Sequence, residues 1–343
     1  MDLDALPPAP ALKTQCGCGY GMAVCPTLGL VVTSNDYLDT LTVFALPGSS
    51  CDAARARRVG LTYVCTLGGG CAKASPARIE LGFSRGRFCS GYMAFTGPAT
   101  SRLLLVTDAG YDAVHVIDVV GRERVGYVAA PGTIAGPRGV AARGSLVAVS
   151  AWKDLLNGDH VVRLFEGSGA TWTPLRVLAC GFGQPGGEDG QLDGPHGLRL
   201  TADGTGLVVA GNENDRVSMF NVKDGSFVRR VASGLEGPSD VEECAGGWLV
   251  ACFDSHTVDF VDSVDGTHRA SLGREGSGHG EFDSPTAIAV VPGLGLVVRE
   301  TENGGRVQVF GSPDVISMAV MSRHRVGWMV AVARSVAARS LSL

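Results

Sequence analysis

The 343-residue chain has no surplus of positive charge: 29 Lys and Arg stand against 34 Asp and Glu, a formal net charge of −5. The long-range attraction that draws proteins to nucleic acid or to an anionic membrane surface is therefore missing, and neither is expected as a partner. No apolar run is long enough to cross a bilayer; the longest, near Val326 to Ala333, falls well short of the roughly 20 residues required. The first residues, MDLDALPPAPALK, are acidic and broken by proline. They carry no basic region followed by an apolar core, so no secretory leader is read and the expected location is the cytoplasm. In that compartment the ten cysteines are expected to be reduced and packed as small apolar side chains. Cys16-x-Cys18 lacks a second pair at zinc-like spacing, and neither a nucleophile elbow nor a phosphate-binding loop stands out.

What the chain does have is glycine, 49 residues of it, about twice the usual share of roughly 7%. The glycines fall between short apolar runs, which points to many tight turns and hence many strands. With 45% hydrophobic residues there is ample material for a core. The clearest pattern is the stretch Gly280 to Phe310, GEFDSPTAIAVVPGLGLVVRETENGGRVQVF. It reads as an acidic loop, a Ser-Pro lead-in, three short strands and the tight turns between them.

Weaker copies recur, with first strands starting at Gly21, Tyr92, Gly139, Gly197, Asp240 and Ala287. A second run follows each start, at Leu30, Leu103, Leu146, Leu207, Trp248 and Leu296. These runs are nearly continuous in apolar residues, as strands covered on both faces are. Third strands such as Arg216 to Phe220 alternate more openly, and fourth strands begin near Leu61, Arg124, Leu175, Phe227 and His268. A period mostly in the forties with four strands per unit belongs to propeller blades, whose apolar faces only neighbouring blades can cover. The expected fold is all-β, a six-bladed β-propeller.

No fourth strand follows Phe310, but Ala11 to Gln15 lies directly before the first unit and is expected to complete the last blade and close the ring. The domain reading is an extension over residues 1–10, the propeller over 11–310, and a tail over 311–343. The tail either packs outside six blades or contributes to a degenerate seventh; its short separation from Ala287 favours six.

The units from Gly190, Leu235 and Gly280 resemble NHL repeats, whose family forms six-bladed propellers. The resemblance implies that first strands line a central channel and that their lead-in loops share a face with the loops joining second to third strands. The residues after the lead-in prolines, Arg138, His196, Ser239 and Thr286, are then candidate binding positions, together with Asp240 beside them and the loop residues Asp254 and Glu300. Other loop carboxylates, Asp36, Asp39, Asp108, Asp112, Asp154, Glu213, Asp215 and Glu302, are expected to cap their own turns. They outnumber the cations Arg138, Lys153, Arg274 and Arg299, so the face is expected to be acidic and to suit cationic or metal ligands.

The regular repeats without a complete catalytic set point to a non-catalytic scaffold that binds a protein or peptide and needs no cofactor. The alternative is a metal-dependent hydrolase or lyase, similar to SMP-30-like lactonases or peptide-amidating lyases, holding Ca or Zn in the channel through Asp240 and His196. Of the lactonase positions only Asp240 matches.

Overall fold

The computed structural model describes residues 19–35, 40–46, 62–68, 78–79, 89–96, 102–153, 160–179, 185–291, 294–301 and 305–311. Within them the chain forms six small sheets, antiparallel apart from one short pairing in the first, and no helix. The first holds β1 (Met22–Cys25), β2 (Leu30–Asn35), β3 (Thr40–Ala45), β4 (Thr62–Gly68) and β5 (Arg78–Ile79). The second holds β6 (Ser90–Thr96), β7 (Leu103–Asp108), β8 (Ala113–Asp118) and β9 (Glu123–Ala129). The third holds β10 (Ala135–Arg143), β11 (Leu146–Lys153), β12 (Val161–Ser168) and β13 (Thr171–Ala179). The fourth holds β14 (Pro195–Leu200), β15 (Gly206–Gly211), β16 (Arg216–Asn221) and β17 (Phe227–Ser233). The fifth holds β18 (Pro238–Cys244), β19 (Gly247–Cys252), β20 (Thr257–Asp262) and β21 (His268–Leu272). The sixth holds β22 (Pro285–Val291), β23 (Gly295–Glu300) and β24 (Val307–Gly311).

Each sheet is a blade, and the first strands β1, β6, β10, β14, β18 and β22 pack against one another in cyclic order around the centre. The chain is a six-bladed β-propeller. The two-residue strand β5 runs parallel to β4. The proposed closing strand at Ala11 to Gln15, the tail from 312 onward and Cys16-x-Cys18 lie outside the described residues.

Period-two alternation explains why no blade folds alone. In β15, Leu207 and Val209 point into the cluster shared with the third blade, while Val208 points into the one shared with the fifth. In β19 the split is the same: Trp248, Val250 and Cys252 face backward, Leu249 and Ala251 forward. Successive side chains of a strand must leave on opposite faces, so a strand that is apolar throughout needs cover on both. Strands β2, β15, β19 and β23 are accordingly buried at every residue, whereas the fourth strands β17 and β21 carry the exposed rim. Six apolar clusters fill the six junctions. The cluster closing the ring joins Ala287, Val291, Val297 and Val307 to Met22, Val31, Phe44 and Leu46.

Near the axis the first strands approach too closely for side chains. A Cβ on Gly139 would sit 2.1 Å from the His196 carbonyl, and one on Gly91 2.3 Å from that of Arg138. Gly21 and Gly197 meet the next blade in the same way. Glycine is needed there to let one backbone touch the next.

Candidate functional site

The lead-in loops are built to one plan. Gly136, Gly194, Gly237 and Ser284 each precede a proline and adopt φ between 53° and 60°. The amide of each is received by a side chain of the preceding blade. Asp112 Oδ1 accepts from Gly136 at 2.8 Å, His160 Nδ1 from Gly194 at 3.0 Å, Asp215 Oδ1 from Gly237 at 3.1 Å, and His256 Nδ1 from Ser284 at 3.1 Å. Asp112, Asp215 and His256 themselves sit at φ of 51° to 58° just ahead of their third strands. Asp112 and Asp215 thus clasp the neighbouring blade, where the sequence reading had them capping their own turns. Asp108 does cap its own turn, accepting from Gly110 at 3.0 Å, and also meets His115 Nε2 at 3.1 Å in a buried pair.

These clasps position the residues after each proline on equivalent sites of the register, around one mouth of the channel. The seven candidates differ in what remains free on them. Ser239 is fully buried, its hydroxyl donating to Ala251 O at 3.1 Å and to Pro285 O at 2.8 Å. Asp240 accepts from Val241 N at 2.9 Å and from Ile288 N at 3.0 Å, so it bridges the fifth and sixth blades. Burial pushes its carboxyl up to about 6 despite the pull of nearby Arg199 and those two amides. Arg199 in turn contacts Glu242 on the channel wall. Glu300 lies wholly inside, receiving both Nε and Nη2 of Arg306 at 2.8 Å, Gln308 Nε2 at 2.8 Å and the Asp283 amide at 2.8 Å. Asp254 is exposed on the loop before β20. Thr286 is buried, and its hydroxyl has no hydrogen-bond partner among the described residues.

Arg138 and His196 belong to an aromatic cluster that the sequence reading missed. The His196 ring stacks on Trp152 at 5.4 Å, with Tyr20 and Tyr92 at 6.4 and 6.2 Å. The Arg138 guanidinium lies 3.9 Å from the centre of the Trp152 ring and 5.6 Å from that of Tyr20. Tyr92 Oη donates to Ser239 O at 2.5 Å, a strut between blades on opposite sides of the ring. Burial, reinforced by Asp240, raises the Tyr92 phenol well above its ordinary range, so it stays a donor. Burial, with the Arg138 charge acting in the same direction, lowers His196 to about 3, and its ring is neutral at pH 7. Both ring nitrogens of His196 and Nε1 of Trp152 lack hydrogen-bond partners among the described residues. Position in the repeat was the available signal: Tyr20 precedes Gly21 as Arg138 precedes Gly139.

Two expectations about charge change. Arg299, counted from the sequence among the cations of the face, is 0% exposed and donates to Gly19 O and Ser34 O at 2.8 Å each, tying the sixth blade to the first. Asp108 and Glu300, counted among its acids, are likewise buried. The loop from 185 to 192 is gathered by Arg216, which donates to the carbonyls of Gly187, Glu188 and Gln191. Arg306 holds the corresponding loop at Ser277, Gly278 and Glu281.

Asp240 and His196 are the pair that the hydrolase or lyase alternative assigns to a metal. Each Asp240 oxygen already receives an amide, the His196 ring is packed among aromatics, and no third His, Cys, Asp or Glu joins them among the described residues. Cys25, Cys244 and Cys252 are free thiols. Burial pushes Cys244 up to about 12 and Cys252 upward as well, which keeps both protonated and unreactive. No helix among the described residues is long and apolar enough to cross a membrane.

No protein-family model matches the chain, and no curated protein does. Among solved structures, that of a nidogen/laminin complex is similar in fold, with a TM-score of 0.51 over 74% of this chain and 78% of that one at 15% identity.

Proposed function

We propose that this propeller is a non-catalytic scaffold that binds a protein or peptide at the channel mouth formed by the lead-in loops. One observation carries the reading: Asp112, His160, Asp215 and His256 are engaged in clasping blades together, while His196, Trp152 and Thr286 keep buried polar atoms without hydrogen-bond partners among the described residues, beside the Arg138 guanidinium on the Trp152 ring. Buried polar atoms without partners are rare in folded proteins, and a rigid surface bearing them is suited to completing its hydrogen bonds with a bound chain. A nidogen/laminin complex in a similar fold agrees with a protein partner, although fold alone does not fix function.

The test is quantitative capture from cell extract by the intact chain and by a triple variant, Arg138→Gln, His196→Gln and Asp254→Asn, with melting curves to establish that the ring survives. Partners recovered by the parent and lost by the variant support the reading; partners that persist sink it. The hydrolase or lyase alternative is tested by metal analysis of protein purified without chelator, followed by a lactone and ester panel. Stoichiometric metal with turnover would overturn the scaffold reading.

A further inference from the structure

We infer that the cluster of Arg138, Trp152 and His196 is a receptor for a carboxylate, supplied by an Asp or Glu side chain of a peptide segment that docks on the channel mouth. The inference rests on the scaffold reading above and specifies what the bound chain presents.

The groups left without partners are mostly donors. The Arg138 guanidinium makes no hydrogen bond or ion pair with any described residue; its recorded contacts are with the rings of Trp152 and Tyr20. Trp152 Nε1 offers one N–H and accepts nothing. Neutral His196 offers a second N–H from one ring nitrogen, and the ring is 6% exposed with both nitrogens unpartnered. A cation and two N–H groups gathered at half-buried and buried positions match an acceptor-only monoanion. The surrounding rings of Tyr20, Tyr92 and Trp152 exclude water, which strengthens a charge-assisted hydrogen bond.

An aromatic-lined mouth could equally be built for a cation, but here the chain's own Arg138 already occupies the aromatic faces and would repel a second positive charge. A dianion fits poorly too, because one arginine faces it and Asp240 and Glu242 lie on the channel wall. The expectation of a cationic ligand drawn from the loop carboxylates thus reverses at the mouth itself.

The test is a selection of random twelve-residue displayed peptides on the intact chain. Recovered sequences are then synthesised in acidic form and with each Glu or Asp replaced by Gln or Asn, and binding is read by fluorescence anisotropy. The expected result is enrichment of an acidic residue whose amide replacement weakens binding at least tenfold. Arg138→Met should weaken the acidic peptide tenfold while barely altering the amide one, and added salt should narrow the difference. If Arg138→Met fails to fold, Trp152→Phe, which keeps a ring and deletes one N–H, should weaken the acidic peptide severalfold. Peptides that bind equally well as amides would overturn the carboxylate inference and leave the scaffold reading standing. Failure to recover any peptide would count against both. Saturable binding of acetate or inorganic phosphate without any peptide would assign the site to a free anion and refute the peptide source.

Discussion

Replacing Arg299 by Met isolates the polar half of ring closure. The side chain is 0% exposed in β23, and its two 2.8 Å hydrogen bonds end on carbonyls of the first blade, Gly19 O and Ser34 O. Met has a similar reach and packs without strain, so the change removes a charge and two donors while leaving the volume nearly filled. Hydrogen bonds from a charged donor are worth about 1.5–3 kcal/mol each, and both carbonyls would stay buried without the guanidinium. Against that, a charge no longer has to be desolvated. The balance is a loss of about 3–5 kcal/mol, which at roughly 2 °C per kcal/mol lowers Tm by about 6–10 °C in a chain of this size.

The location of the damage separates this account from simple loss of a buried group. Hydrogen exchange should accelerate first in β1, β2, β22 and β23, which meet at the closing junction, while β15 on the far side keeps its protection until global unfolding. A fall in Tm of less than about 2 °C would mean that the apolar cluster of Met22, Val31, Phe44, Val297 and Val307 closes the ring by itself. Equal loss of protection in β15 and β23 would mean that Arg299 has no special role at the junction.

Gly139→Ala should destabilise by about 2 kcal/mol or more, because its Cβ would meet the His196 carbonyl at 2.1 Å and overpacking of this kind displaces backbone; denaturant midpoints check it. His256→Ala should lose about 1 kcal/mol with the Ser284 amide bond, whereas His256→Asp should lose little, since aspartate holds the equivalent place at 112 and 215. Stability against pH has two opposed parts. His196, depressed to about 3, is protonated in the unfolded chain below about 6.5, so its contribution is lost as pH falls from there. Asp240, raised to about 6, keeps a proton that the unfolded chain releases near 4, so its contribution is present in acid and is lost as pH rises through that window. His196→Gln should therefore retain more of its pH 7 stability at pH 4 than the parent does, by on the order of 3 kcal/mol in chemical denaturation; an unchanged profile would refute the buried, neutral ring.

The fold was legible because a blade's needs are written in period-two alternation. Starts at Gly21, Gly139, Gly197, Asp240 and Ala287 fall within or at the edge of first strands as the structure has them, and the continuous apolar runs mark the fully buried second strands. The mouth was half legible. Arg138 and His196 were found by their place after proline, but Tyr20, Tyr92 and Trp152 were not, since the first two blades lack that proline and Trp152 reaches the mouth from the end of a second strand. Contacts between residues 44 positions apart, such as Trp152 and His196, leave no local trace in a sequence.

Charge was the least legible property, and the reason is general to this architecture. A residue's place in the repeat tells which loop it occupies, but the clasp between blades decides whether its charge reaches solvent. Glu300 and Asp254 both lie where second strands hand over to third strands; one is locked to Arg306 and Gln308, the other is exposed. Arg299 and Arg138 look alike as loop-side cations, yet the first ties blades together and the second lies against Trp152 and Tyr20 with no ion pair among the described residues. Counting formal charges over the face assigned it to cations. Asp108, Arg299 and Glu300 are buried and held by partners inside the ring, so that count includes charges the face never presents to a ligand.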